Sequence, residues 1–142
     1  MTKNDAIDLI YSTVQDATLL GYLGAGEFWK SSARPDNAIL PCMTIRLFAL
    51  GRRGEQHSVQ QYQAVFSLFT DNADVARQPD YDLSGAVEAR LNTLFHAKTL
   101  TSSAGKIEMR GENPVTELNP DAQGAPPNET IFQYNFNLLV FN

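Results

Sequence analysis

Residues 131–142, Ile-Phe-Gln-Tyr-Asn-Phe-Asn-Leu-Leu-Val-Phe-Asn, decide the fold. Phe132, Tyr134, Phe136, Leu138 and Val140 alternate with Gln133, Asn135 and Asn137. A period of two, built from aromatic and branched side chains, predicts a strand with one apolar face and one amide face. The apolar face needs a cover. The amide face is suited to water or to another subunit. The chain is therefore expected to close inside a sheet rather than in a loose tail.

Working outward, the same alternation recurs from Pro41 to Leu50. Met43, Ile45 and Leu47 share one face, and Thr44, Arg46 and Phe48 share the other. It recurs again from Val59 to Thr70, with Tyr62, Ala64, Phe66 and Leu68 on one side. The glycine-bounded polar stretch 51–58 joins the two, which predicts an antiparallel hairpin with an exposed tip. Ile7, Ile10, Val14, Ala17 and Leu20 recur at helical spacing and predict one helix over 3–20, stopped at Gly21. Leu83, Val87, Leu91, Leu94 and Phe95 predict a second helix, capped by Asp80 or Asp82 and ending near 96–98. A short strand is expected at 106–110. Residues 111–129 hold four of the seven prolines and read as an insertion, or a second hairpin arm, anchored by Val115 and Leu118. The fold class expected is α+β: a mainly antiparallel sheet of about four strands with two helices on one face, in the order α-β-β-α-β-β.

Composition narrows the function. The chain has 142 residues, 43% hydrophobic and 19% charged, with net charge −5, a size suited to one domain and one core. An acidic chain with a pI near 4.9 is unlike a protein built to grip nucleic acid, which presents a basic stripe. The lone Cys42 makes neither an intrachain disulfide nor a multi-cysteine metal site, and fits a reducing compartment. Neither a signal-like start nor a membrane-length apolar run is present, so a cytoplasmic origin is expected.

No phosphate loop, paired-histidine metal motif or nucleophile elbow occurs. Gly24-Ala-Gly26 follows a helix rather than a strand and reads as a loop. His57 and His96 read as solvated or capping, Cys42 as a small core or edge residue, and the acidic group Asp71, Asp74, Asp80 and Asp82 as a solvated loop. Arg52 and Arg53 are too few for non-specific DNA binding. No catalysis, cofactor or metal is expected.

The order of elements carries a resemblance. Leu40-Pro-Cys-Met-Thr-Ile-Arg-Leu-Phe leads through a polar tip into Tyr62-Gln-Ala-Val-Phe-Ser-Leu-Phe-Thr, then a helix from Leu83 to Phe95, a strand, an insertion and a closing strand. This resembles the tail terminator (tail completion) proteins of long-tailed bacteriophages, the minor tail protein U type. It spans nearly the whole chain as a pattern, without a diagnostic motif. The resemblance implies one domain over 1–142, with a hairpin arm at about 50–60 and the insertion at about 111–129. It implies a structural virion protein of the tail or neck, assembled in the host cytoplasm: a homohexameric ring that caps the tail tube, stops its growth and docks the head connector. DNA would pass through its lumen unbound. The expected partners are further copies of itself, the tail tube protein and connector or neck proteins, with no membrane. Six copies at −5 each would give a ring of about −30, a field that favours sliding over sticking. Candidate interface residues are Arg52, Arg53, Glu55 and His57 in the first arm, Val115 and Leu118 in the second, and Gln133, Asn135 and Asn137 on the amide face. The competing readings are another head–tail connector or neck subunit, a small cytoplasmic ligand-binding α/β domain, and a hydrolase using His57 or His96.

Overall fold

Thr2 opens the first helix. Its hydroxyl accepts from the Asp5 backbone N–H at 3.1 Å, while the Asp5 carboxylate accepts from the Thr2 N–H at 2.7 Å. This reciprocal box satisfies donors that the first turn would leave bare. The computed structural model describes residues 1–30, 34–53, 59–71, 80–118 and 129–141. Helix α1 spans Lys3–Val14, and α2 spans Ala17–Leu23. The single helix expected over 3–20 is thus broken at residues 15 and 16. Asp16 has extended backbone and starts the second segment by accepting from the Leu19 N–H at 3.0 Å. The same carboxylate takes two hydrogen bonds from Arg90, at 2.8 and 2.6 Å. An acidic N-cap fixed by a distant guanidinium outweighs continued helical bonding here. The apolar stripe re-phases at the break, from Ile10 and Val14 to Leu19 and Leu23, while Leu20 is only half-buried. Gly21 does not stop the helix; Gly24 does, with φ 62.

Phe28–Trp29 form β1, which runs parallel to β2 (Cys42–Arg53). Gly26 makes this approach possible, since a Cβ there would lie 1.7 Å from the Pro41 carbonyl oxygen. Strand β3 (Val59–Asp71) returns antiparallel to β2, as the alternation predicts. Helix α3 (Tyr81–Phe95) is capped by Asp80, which accepts from the Leu83 N–H at 3.0 Å. Strands β4 (Thr99–Ser102), β5 (Gly105–Leu118) and β6 (Glu129–Phe141) follow. The sheet order is β1-β2-β3-β6-β5-β4.

The expected four-stranded, two-helix α-β-β-α-β-β arrangement is therefore wrong. Among the described residues there are three helices and one curled, mixed, six-stranded sheet. The two missed strands are short edges, and Phe28–Trp29 gives no alternation to read. The strand expected to end near residue 110 continues to Leu118, because two bulges, at 109–111 and 113–116, absorb the irregular sequence and Pro114. Much of the supposed insertion is therefore the outer strand of a long hairpin with β6.

All three helices pack on the face carrying Met43, Phe66, Phe136 and their in-phase neighbours. Phe66 lies at the centre: its ring stacks on Phe95 of α3 at 5.3 Å and meets Phe136 at 5.7 Å and Phe28 at 6.2 Å edge-on. Tyr134 takes its hydroxyl into this layer and donates to the Ser84 carbonyl at 3.1 Å, with the Ser84 hydroxyl 2.8 Å away. Burial pushes the Tyr134 phenol well above its ordinary range, so it stays a neutral donor.

Phe66→Ala empties a site bounded by three rings and should cost about 3–5 kcal/mol in chemical denaturation. Arg90, by hydrogen bonding, holds the Asp16 carboxyl at about 2 against an ordinary 3.8. A depressed carboxylate contributes stability that is complete above about pH 4 and lost as pH falls toward about 2. Asp16→Asn should lower the urea midpoint at neutral pH, and its difference from the parent should shrink across that window.

Candidate functional site

The face of the sheet away from the helices is the candidate surface. Strand registry builds it in rows across β2, β3, β6 and β5. Thr44, Ser67, Gln133 and Thr116 form one row, and Arg46, Val65, Asn135 and Asn113 the next. Phe48, Gln63, Asn137 and Gly111 form a third. Hydroxyls and amides from Thr44, Gln63, Ser67, Gln133 and Asn135 thus share the floor with apolar Phe48, Val65, Phe69 and Ile131, and Arg46 is its one charge in the central depression. The sheet's curl makes its centre a depression of about 350 Å³ reaching from Thr44 to Asn135. Thr44 and Ser67 are buried in it, while Arg46 and Phe48 rise exposed along one side. The Arg46 guanidinium lies 4.7 Å from the centre of the Phe48 ring.

Arg34 closes one end of this face. Its guanidinium sits 4.4 Å over the Phe69 ring, pairs with Glu129 and lies 4.0 Å from the Cys42 sulfur. Burial is the largest single influence on Arg34 and would lower its pKa, but the hydrogen bonds and charges of Glu129 and Cys42 together outweigh it and hold the cation charged. Cys42 therefore does have a basic neighbour, which sequence reading missed because the contact crosses eight residues of loop. That neighbour does not activate it. Burial pushes the thiol up, beyond the opposing pull of Arg34, so the sulfur stays protonated and inert.

The residues picked from sequence fall in three places. Gln133, Asn135 and Asn137 stand half-buried in the central rows, on the face expected of them. Arg52 and Arg53 continue β2 opposite Gln60 and Val59, at the hairpin end of the sheet. Glu55 and His57 lie outside the described residues. Val115 is half-buried and packs against the core, so it is a structural anchor first. Leu118 pairs with Ile131 at the opposite end of the sheet from Arg53. The two hairpins thus point away from one another, which the sequence could not convey.

Of the acidic group read from sequence, Asp74 lies outside the described residues. Asp80 and Asp82 serve the start of α3, and Asp71 ends β3. His96 caps α3 through its backbone N–H. The Tyr81 hydroxyl donates to Glu117 at 3.1 Å. Among the described residues no group of three or more His, Cys, Asp or Glu is placed to hold a metal. No helix there is long and apolar enough to cross a membrane. A second depression, of about 220 Å³, lies between Glu27, Trp29 and the 35–39 loop; it is small for an organic ligand.

Comparison with known proteins places the fold. No family model matches the chain, and no curated protein matches it. Solved structures do. A chain from the virion of a native gene transfer agent particle superposes with a TM-score of 0.69 at 14% identity, over 96% of this chain and 94% of that one. A second solved chain, without a stated role, reaches 0.55 at 14% identity over 95% of each. The protein shares its fold end to end with a component of a virion particle.

Proposed function

We propose that this chain is a structural subunit of a phage-like virion, and specifically a tail terminator that closes the tail tube as a ring. The observation that carries the reading is the end-to-end fold likeness to a chain of a gene transfer agent virion, in a protein whose described residues hold no assembled catalytic group. Three features support the finer role. The two long hairpins leave opposite ends of one sheet, so a single subunit can address two axial partners, a tube below and a connector above. The helix-free face is amide-rich and poor in charge. The acidic balance of −5 keeps a lumen from holding DNA, because affinity for the phosphate backbone follows the number of phosphates neutralised. The chain acts without cofactor and without catalysis, in the tail or neck of the particle. A subunit elsewhere in the neck is the alternative, separated from a terminator by its position and copy number.

Native mass measurement and negative-stain imaging, on the protein alone and with isolated tail tubes, test this directly. A six-fold ring, or a cap on one tube end, is expected. A species that stays monomeric and ignores tubes would sink the proposal, and binding at the connector without tube contact would favour the other neck role. Replacing Arg52 and Arg53 with Glu should weaken ring or neck assembly. Unchanged assembly and infectivity would remove the first hairpin from the account.

A further inference from the structure

Both long outer strands of the sheet are left half unpaired. Strand β1 covers β2 only at Met43 and Thr44, so residues 46–53 have no described strand on their outer side. Strand β4 covers β5 only from Gly105 to Glu108, so residues 110–118 have none either. The two covers sit at opposite ends. The row of Met43 contains Leu68, Phe132 and Glu117, whereas the row of Lys106 contains Phe141, Val59 and Arg53. The open stretches are therefore staggered like the two halves of a lap joint. Unpaired edge backbone is a template for another strand.

Charge distinguishes the two edges. Strand β2 carries Arg46, Arg52 and Arg53 and no acidic residue, within a chain of net charge −5. Arg46 is exposed and has no carboxylate partner among the described residues. The open stretch of β5 holds two acids, Glu112 and Glu117, against one base, Arg110, and Arg110 is taken up by Glu108 of the covered stretch. Glu108 is already shared between Lys106 at 3.2 Å and Arg110 at 3.6 Å. Glu117 meets the neutral Tyr81 hydroxyl, and Glu112 adds a further negative charge by sequence. Pairing β2 with β2, or β5 with β5, would set like charges side by side; pairing β2 with β5 sets opposites together. Exposed Phe48 and Leu50, at 39% and 52%, lie along the same β2 edge and would lose water in such a joint.

We infer that the open edge of β2 in one copy pairs with the open edge of β5 in the next, so that the sheet runs on from subunit to subunit. Direction allows it. Strands β2 and β6 run one way, and β3 and β5 the other, so a neighbour's β2 beside β5 makes an ordinary antiparallel ladder. The two patches are different, and the contact is head-to-tail, the kind that closes into a ring when its rotation permits. The inference rests on the ring reading above and names the surface that would build it.

The test uses the full chain. The Met43 N–H points outward, donating to the Glu27 carbonyl at 3.0 Å. Alternation along β2 brings the N–H of exposed Ala49 to the same side, just before the bulge. Ala49→Pro removes that donor without touching the core, and Glu117→Pro obstructs the open edge of β5. Each variant alone should be a monomer by native mass, with melting close to that of the parent. Mixed in equal amounts they should form 1:1 dimers and nothing larger, since one sound joint remains. Arg46→Glu leaves the backbone intact, decides the matter if a proline variant fails to fold, and should raise the concentration needed for assembly about tenfold. Folded proline variants that assemble like the parent, or an Arg46→Glu chain that assembles unchanged, would overturn the edge pairing while leaving the ring reading in place. A parent chain that is monomeric both alone and on tubes would overturn both.

Discussion

The contact of Phe66 with rings from three other elements is the constraint on which this architecture depends. Phe28, Phe95 and Phe136 reach it from β1, α3 and β6. Aromatic rings of this size supply the largest share of burial available to a small domain, and their edge-to-face and offset geometries fix relative position as well as proximity. Once Phe66 is seated, β3 is held between its neighbours, α3 is laid across the sheet, and the parallel edge at β1 has a reason to dock. The apolar face is then spent. The other side of the sheet is free to be mixed, and it sets Thr44, Ser67, Gln133 and Asn135 among Phe48, Val65, Phe69 and Ile131.

That division separates the groups that hold the fold from those left at the surface. Three polar pairs, one buried and two partly buried, serve the fold: Tyr134 with Ser84, Asp16 with Arg90, and Arg34 with Glu129. The two ion pairs join elements far apart in sequence. Among the described residues, what remains without a strand or helix beside it is backbone along two strand edges and a mixed polar and apolar sheet face, with two hairpins leaving opposite ends. Those are the features on which the proposed ring, and its proposed partners at either end, would draw.

Much of this was legible in the chain because periodicity of two survives wherever one face of a strand is buried. The hairpin of β2 and β3, the in-and-out pattern of β6 and the stripe of α3 all follow from it. The failures have separate causes. Helical periodicity passes smoothly through Gln15 and Asp16, and only the distant Arg90 reveals why the helix stops there. Strands of two and four residues are too short to show a period. Pro114 looks like a terminator of β5 until a bulge is allowed to hold it. Open strand edges are invisible in principle, since an unpaired strand is defined by what does not lie beside it.

Cys42 gives the closed end of the open face an unexpected use. The chain's only thiol is fully buried in β2 beneath the guanidinium of Arg34, whose ion pair with Glu129 links the 34–41 loop to the start of β6. A thiol in that position is silent for as long as the loop stays down, because reaction requires both access and ionisation. Its modification rate is therefore a native clock for local opening at that edge of the sheet, independent of global unfolding. A subunit joined to neighbours or partners at this end would slow the clock, and a free one would let it run.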